Sequence, residues 1–427
     1  MKPDTKHPFR LSYFALSTLL FSTLASWHSA QAQDIKIALI AGKTGALEAY
    51  AKESETGFML GLEYLTGGKM EINGRKIKVI VKDDQSKPDM GRSLLAEAYG
   101  DDKVDLAVGT TSSGSALAML PVAEEYKKIL IVEPAVADAI TGEKWNRYIF
   151  RTSRSSMQDA IAAASTLKSG GSIAFLAQDY AFGRDGIKAA KEAIAMASAN
   201  NKANIKVVHE EYAAQNTSDF TASAQRIFDA LKDKPEPRIL QIVWAGPSPM
   251  NKLADLRPER FRIALAPGGN ILPVMKLWKS YVGTQGTIYY YYDFPKNKMN
   301  DWLVSEHKKR FKTPPDFFTA GGFSAASAAY SALSTALSTT VNSAAGKGKA
   351  LDTEKLITIM EGMEYETPKG KMKFRKEDHQ ALQSMYHFKI KKDQKDEWDL
   401  LELVREIPAT EIPLPIKNKR WACTHFS

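Results

Sequence analysis

The sequence predicts an α/β fold of two lobes, each a parallel sheet flanked by helices. Short runs rich in Ile, Val, Leu and Ala alternate with stretches of helical spacing, the pattern of parallel strands joined by right-handed crossovers. The alternation restarts after Arg151-Thr152, as a second unit of the same kind would. A chain of 427 residues is also long enough to bury two ordinary cores.

Each element has its own signal. DIKIALIAG is an apolar strand ending at Gly42, and residues 46–65 have helical spacing. In GGKMEINGRKIKVIVKDD the pair Asn73-Gly74 marks a hairpin turn ahead of a strand. A helix over 88–99, the strand DLAVG, a helix over 115–126 and the strand ILIVEP complete the first run. The second run holds SIAFLAQ over 172–178, a helix over 183–199, NIKVVHEE, a helix over 219–231, RILQIVW and FRIALAP. A third region opens with GTIYYYYDF, carries helices over 301–311 and 325–337, and ends in GKMKFRKEDHQALQSMYHFKIKK, which reads as strands with a polar turn. Residues 331–348 are rich in Ser, Thr, Ala and Gly and end as a surface loop. The tail after Ile407 carries Pro408, Pro413 and Pro415 without periodicity and is expected to lie extended on the surface.

The first 32 residues have the anatomy of an export signal. Lys2, Lys6 and Arg10 precede the apolar run over 11–25, and Ala30-Gln31-Ala32 fits a cleavage site before Gln33. That run is broken by polar residues and falls short of the roughly 20 residues a membrane span needs. No cysteine stands at the cleavage site to carry a lipid, and Cys423 is the one cysteine in the chain, so no internal disulfide can form. The expected product is a free protein in a bacterial periplasm, stabilised by core burial. The formal charge of +9 falls to +7 once the leader's three positive and one negative residues are removed. Its lysines are spread and mixed with acids, as in KIKKDQKDEWD, which describes a solvated face rather than a nucleic-acid or membrane patch.

Catalytic signals are absent from the sequence. Gly42-Lys43-Thr44 invites a phosphate-loop reading, but Ile37 stands where that loop requires its first glycine. Of the seven histidines, His7 and His28 belong to the leader, and His209, His307, His379, His387 and His425 form no close metal-ligand pair. No G-x-S-x-G elbow occurs. Neither an enzyme nor a cofactor is expected. The informative segment is the hydroxyl loop after DLAVG, where the strand breaks at Gly109 and residues 110–115 read TTSSGS before a helix begins. Backbone N–H groups and hydroxyls gathered there suit a carboxylate.

Taken with Thr44-Gly45, Asp83-Asp84, VGTTSSGSA, ILIVEPAVAD, Arg151-Thr152 and Asp179-Tyr180-Ala181-Phe182-Gly183, this order of elements resembles the periplasmic solute-binding proteins of the branched-chain amino acid ABC transport family. The likeness runs from about residue 35 to residue 404. It implies the type I periplasmic binding fold, with a leader over 1–32, a first lobe over 33–152 plus 284–374, a second over 153–283 plus 375–407, and a tail over 408–427. Crossings between lobes are expected near Thr152, Gly283 and Phe374. It also implies a monomer that closes on a small-molecule solute and delivers it to an inner-membrane ABC permease. A ligand-sensing role in signalling is the alternative for the same fold.

Carried over by position, Ser113 matches the serine that binds the ligand carboxylate, with Ser112 beside it. Ala135 and Ala137 match the next loop, which supplies backbone contacts, though Ala137 lacks the hydroxyl common there. Tyr50 matches an aromatic wall of the first lobe and Phe182 an aromatic that closes from the second; either could instead be ordinary core. Amino-acid-binding members carry an acid within ALAPGGN to pair the ligand ammonium, and this chain has Gly268. Asp138, Asp179 and Asp293 are possible substitutes, each equally open to a capping or turn role. Trp244 at a strand end and Tyr289 to Tyr292 add aromatic surface. The expected solute is a small carboxylate, an amino acid or an aromatic or apolar acid, and the missing ammonium partner with these aromatics suits the second.

Overall fold

The computed structural model describes residues 33–167, 170–199, 204–341 and 351–418. The leader with its cleavage after Ala32, the end of the 331–348 stretch and Cys423 lie outside the described residues.

The first lobe begins with β1 (Ile35–Ala41), α1 (Glu48–Leu65), β2 (Glu71–Ile72), β3 (Arg75–Asp83), α2 (Pro88–Gly100), β4 (Leu106–Gly109), α3 (Ser113–Tyr126), β5 (Ile129–Val132) and β6 (Ile149–Arg151). They form one six-stranded sheet in the order β2-β3-β1-β4-β5-β6. All its pairings are parallel except the β2–β3 hairpin, whose turn at Asn73 and Gly74 takes the positive φ that an Asn-Gly pair tolerates. The second lobe holds α4 (Ser156–Ala164), β7 (Ser172–Gln178), α5 (Ala181–Ala199), β8 (Lys206–Ala213), α6 (Thr221–Leu231), β9 (Arg238–Val243), α7 (Met250–Asp255), β10 (Ile263–Pro267) and α8 (Leu272–Lys276). Its sheet is parallel throughout, in the order β10-β9-β7-β8.

The remainder comprises β11 (Gln285–Ile288), α9 (Lys298–Phe311), α10 (Phe317–Val341), α11 (Thr353–Met360), β12 (Glu364–Thr367), β13 (Gly370–Phe374), β14 (Ala381–Leu382), β15 (Met385–Ile390) and β16 (Leu401–Ile407). Two antiparallel sheets result, β11-β15-β16 and β12-β13-β14. Helix α10 belongs to both cores. Phe317, Phe318 and Phe323 pack with the second-lobe cluster, while Ala325 to Leu337 contribute to the first.

Several elements depart from the sequence reading. Helix α10 starts eight residues before the expected 325, because Gly321 and Gly322, poor helix formers in isolation, are the close-approach points of a buried helix. GTIYYYYDF is a strand only as far as Ile288. Tyr289, Tyr290 and Tyr291 leave the ladder and are all buried rather than alternating, each with its hydroxyl anchored: to Phe317 O (2.7 Å), Asn300 Oδ1 (2.7 Å) and Trp398 O (2.6 Å). No helix among the described residues is long and apolar enough to cross a membrane.

Candidate functional site

In each sheet the chain order reverses beside the first strand laid down, and loops at the carboxyl ends of strands flanking such a point form a crevice. In the first lobe that point lies between β1 and β4, and β4 opens directly into the hydroxyl loop. In the second it lies between β7 and β9, whose ends lead to Phe182 and Trp244. The amide of Gln178 ties these two ends together, donating to Ala245 O (2.9 Å) and accepting from Ala245 N (3.0 Å).

The hydroxyl loop is packed from behind. Gly109 has φ of 150°, and a Cβ there would meet Ile40 O at 2.2 Å, so only glycine fits where β4 turns. Thr110 Oγ1 donates to Asp84 Oδ2 (2.7 Å), Ser115 Oγ donates to the same oxygen, and Thr111 Oγ1 accepts from Gly42 N (3.1 Å). Thr110 and Ser115 thus spend their protons on Asp84, whereas Thr111 accepts and keeps its own. Ser113 Oγ also accepts, from Val136 N (3.3 Å) and Ala137 N (3.2 Å), which joins the loop to the Val136–Ala137 backbone and leaves its own O–H proton to donate. Ser112 caps the start of α3 by position without a side-chain cap bond. Arg151, fully buried, clasps the same loop through Nη1 to Ala137 O (2.6 Å) and Nη2 to Thr141 Oγ1 (2.6 Å). Burial pushes its pKa down to about 10, so it stays charged at neutral pH.

The second lobe faces this loop through α5, which packs against α3. Asp138 N donates to Asp185 Oδ2 of α5 (2.7 Å). Tyr50, at the start of α1, makes the other link. Its hydroxyl donates to Asn270 Oδ1 (2.9 Å) and accepts from Gly246 N (2.6 Å), while its ring packs 4.4 Å from that of Phe318. Burial raises its pKa to about 12. Tyr50 is thus both an aromatic surface and a hydrogen-bonded tie between segments far apart in the chain.

A cavity of about 960 Å³ lies against the second sheet. Phe182, Trp244 and Gly268 line it, together with Asn270, Arg154 and Tyr289. Tyr50, Ser112, Ser113, Ala135 and Ala137 are not in that lining; Tyr50 touches it through Asn270. Trp244 is held edge-on against Phe220 (5.2 Å). Around Gly268 there is open space where a Cβ would begin, so crowding at that point does not require glycine.

The three candidate acids for an ammonium are otherwise engaged. Asp138 accepts from Met157 N (2.8 Å) and faces Lys417 (3.8 Å), Asp179 pairs with Arg184 (2.6 Å), and Asp293 pairs with Lys296 (2.9 Å). The sequence reading missed Arg154 and Asn270. Asn270 stood within ALAPGGN, two residues from Gly268, and that proximity was its one available signal. Nothing local distinguishes Arg154 from any other charged residue before a helix. Among the described residues no His/Cys/Asp/Glu cluster could hold a metal ion.

The family profile described as "Periplasmic binding protein" matches residues 34–395. A solved ABC-type branched-chain amino acid transporter from Rhodopseudomonas palustris is 61% identical, with 90% of this chain and 100% of that chain covered at a TM-score of 0.76. A solute-binding protein of an ABC transporter from another R. palustris strain, solved with 3,4-dihydroxybenzoic acid, is 26% identical, covers 89% and 99% of the two chains and has a TM-score of 0.73. A Leu/Ile/Val-binding protein homolog of Brucella melitensis is 27% identical over 220 residues, which take in 50% of this chain and 57% of that protein. Another, from Brucella abortus, is 22% identical over 387 residues, 87% of this chain and 91% of the relative. With the type I fold already described, these matches show that the chain belongs to the periplasmic binding proteins of the branched-chain amino acid (Leu/Ile/Val) ABC transporter family, as a non-catalytic, periplasmic solute-binding component of an importer.

Proposed function

We propose that the solute is a small aromatic or apolar carboxylate held between the lobes. Its carboxylate would take the free O–H of Ser113, with Ser112 and the backbone of Ala135 and Ala137 beside it, and Tyr50, Phe182, Trp244 and the space over Gly268 would surround its apolar part. The observation that carries this reading is the missing ammonium partner. Gly268 offers no acid, and Asp138, Asp179 and Asp293 are each committed to another group. Closing the lobes on an unpaired ammonium would cost several kcal/mol. The 26%-identical relative solved with 3,4-dihydroxybenzoic acid supports the same class of solute.

The lobes are taken as 33–152 with 284–374 and 153–283 with 375–407, meeting near Thr152, Gly283 and Phe374. Because β11 hydrogen-bonds to β15, we place the middle crossing just after Ile288. A monomer closed on its solute is the form an inner-membrane permease would recognise. Thermal-shift and calorimetric titration with benzoate, 3,4-dihydroxybenzoate, leucine and valine tests the reading. Benzoates are expected to raise Tm with leucine and valine inert, and selective stabilisation by leucine would overturn it.

A further inference from the structure

The Arg154 guanidinium is poised for a bond it does not make. It lines the second-lobe cavity, and its Nε donates to both carboxylate oxygens of Asp159 (3.1 Å each), one turn into α4. Its carbon lies 4.6 Å from the centre of the Tyr289 ring and 5.8 Å from that of Phe317. These contacts hold the planar group without using its far end. Its Nη1 is buried and has no hydrogen-bond partner among the described residues. A charged donor left unpaired in the interior is costly, and an anionic oxygen answers it best.

Two further observations point to a ligand rather than to packing alone. At about 960 Å³ the cavity is at the upper end of the roughly 300–1,000 Å³ typical of ligand pockets. An aromatic series also leads from the tie between the lobes to the guanidinium. The ring of Tyr50 stands 4.4 Å from Phe318, Phe318 stands 4.3 Å from Phe317, and Phe317 stands 5.1 Å from Tyr289.

We propose that Arg154 is a second anion subsite, and that the solute is an extended apolar acid with a carboxylate at each end. This rests on the reading that the Ser112–Ser113 loop takes the first carboxylate. Arg154 then determines specificity at the far end, where its Nη1 donates to the second carboxylate while Asp159 keeps the guanidinium in place.

Calorimetry on the full chain with benzoate and with terephthalate, which adds only a second carboxylate across the same ring, tests the proposal. Terephthalate is expected to bind about ten-fold tighter than benzoate, a difference that one charge-assisted hydrogen bond supplies. Arg154→Gln should remove that preference, and Arg154→Lys should restore part of it. The proposal is overturned if the wild-type protein shows no preference, if Arg154→Gln keeps it, or if both acids weaken equally. Failure of the wild-type protein to bind either acid would instead remove the underlying carboxylate reading, and the proposal with it. Should Arg154→Gln not fold, the wild-type preference and the Arg154→Lys ratio decide the matter.

Discussion

Ser113 receives two backbone N–H groups and still has its own proton to give, which separates it from Thr110 and Ser115, whose protons go to Asp84. Ser113→Ala removes that donor and also the acceptor for Val136 and Ala137. Solute affinity should fall by about 1–3 kcal/mol in a calorimetric titration, and unchanged affinity would make the loop purely structural. Glu133 offers a pH test. It is buried, accepts from Thr152 Oγ1 (2.8 Å) through one oxygen, and has no partner for the other among the described residues. Burial lifts its pKa from 4.5 to about 7, against the opposing pull of Thr152, Arg154, Lys369 and Arg151. A carboxyl raised in the folded state binds more protons there than in the unfolded chain, so stability falls as pH rises from the unfolded value toward 7. The loss is about 3 kcal/mol by pH 8, and is absent below pH 4.5. Glu133→Gln should therefore raise Tm at pH 8 and change it little at pH 4.5; an equal shift at both would reject burial of the charge as the cause. The hydroxyl loop was legible because it is contiguous. The roles of its individual hydroxyls were not, since Asp84 and Val136 reach it only in the folded chain.

Helices α1 and α10 approach more closely than ordinary side chains permit. A Cβ on Gly57 would lie 1.9 Å from Thr319 O, and one on Gly322 would lie 2.0 Å from Ser54 O. Both obstacles are backbone atoms, so no rotamer change relieves them. Gly57→Ala should cost about 1–3 kcal/mol or more in urea denaturation, and a neutral result would mean that the helices can separate. This contact explains why α10 was shortened in the sequence reading: glycine in a helical pattern signals weakness locally and close packing globally. Helix α4 shows the opposite case. Its Ser155 and Gln158 form a reciprocal capping box, a local signal present in the sequence that the alternating strands overshadowed. The central strands were legible because strands buried on both faces read as continuous apolar runs, whereas β6 has only three residues.

Across the whole molecule, the Tyr50 hydroxyl ties the first lobe to Gly246 and Asn270, partners 196 and 220 residues away in the chain. Tyr50→Phe keeps the ring against Phe318 and removes both bonds. It should shift the equilibrium toward an open form, seen as a larger radius of gyration in solution scattering and a several-fold weaker solute affinity; unaltered values would assign closure to other contacts. The sequence by itself determined the α/β class, the restart after Arg151-Thr152, the hydroxyl loop and the absence of an acid at Gly268, because each is written in the spacing or identity of near neighbours. Tertiary structure alone decided the sheet order, the commitment of Asp138, Asp179 and Asp293 to other partners, the tie made by Tyr50 and the unpartnered nitrogen of Arg154. The physical reason is that pairing and burial depend on groups brought together from distant parts of the chain, and no local pattern records which group will arrive.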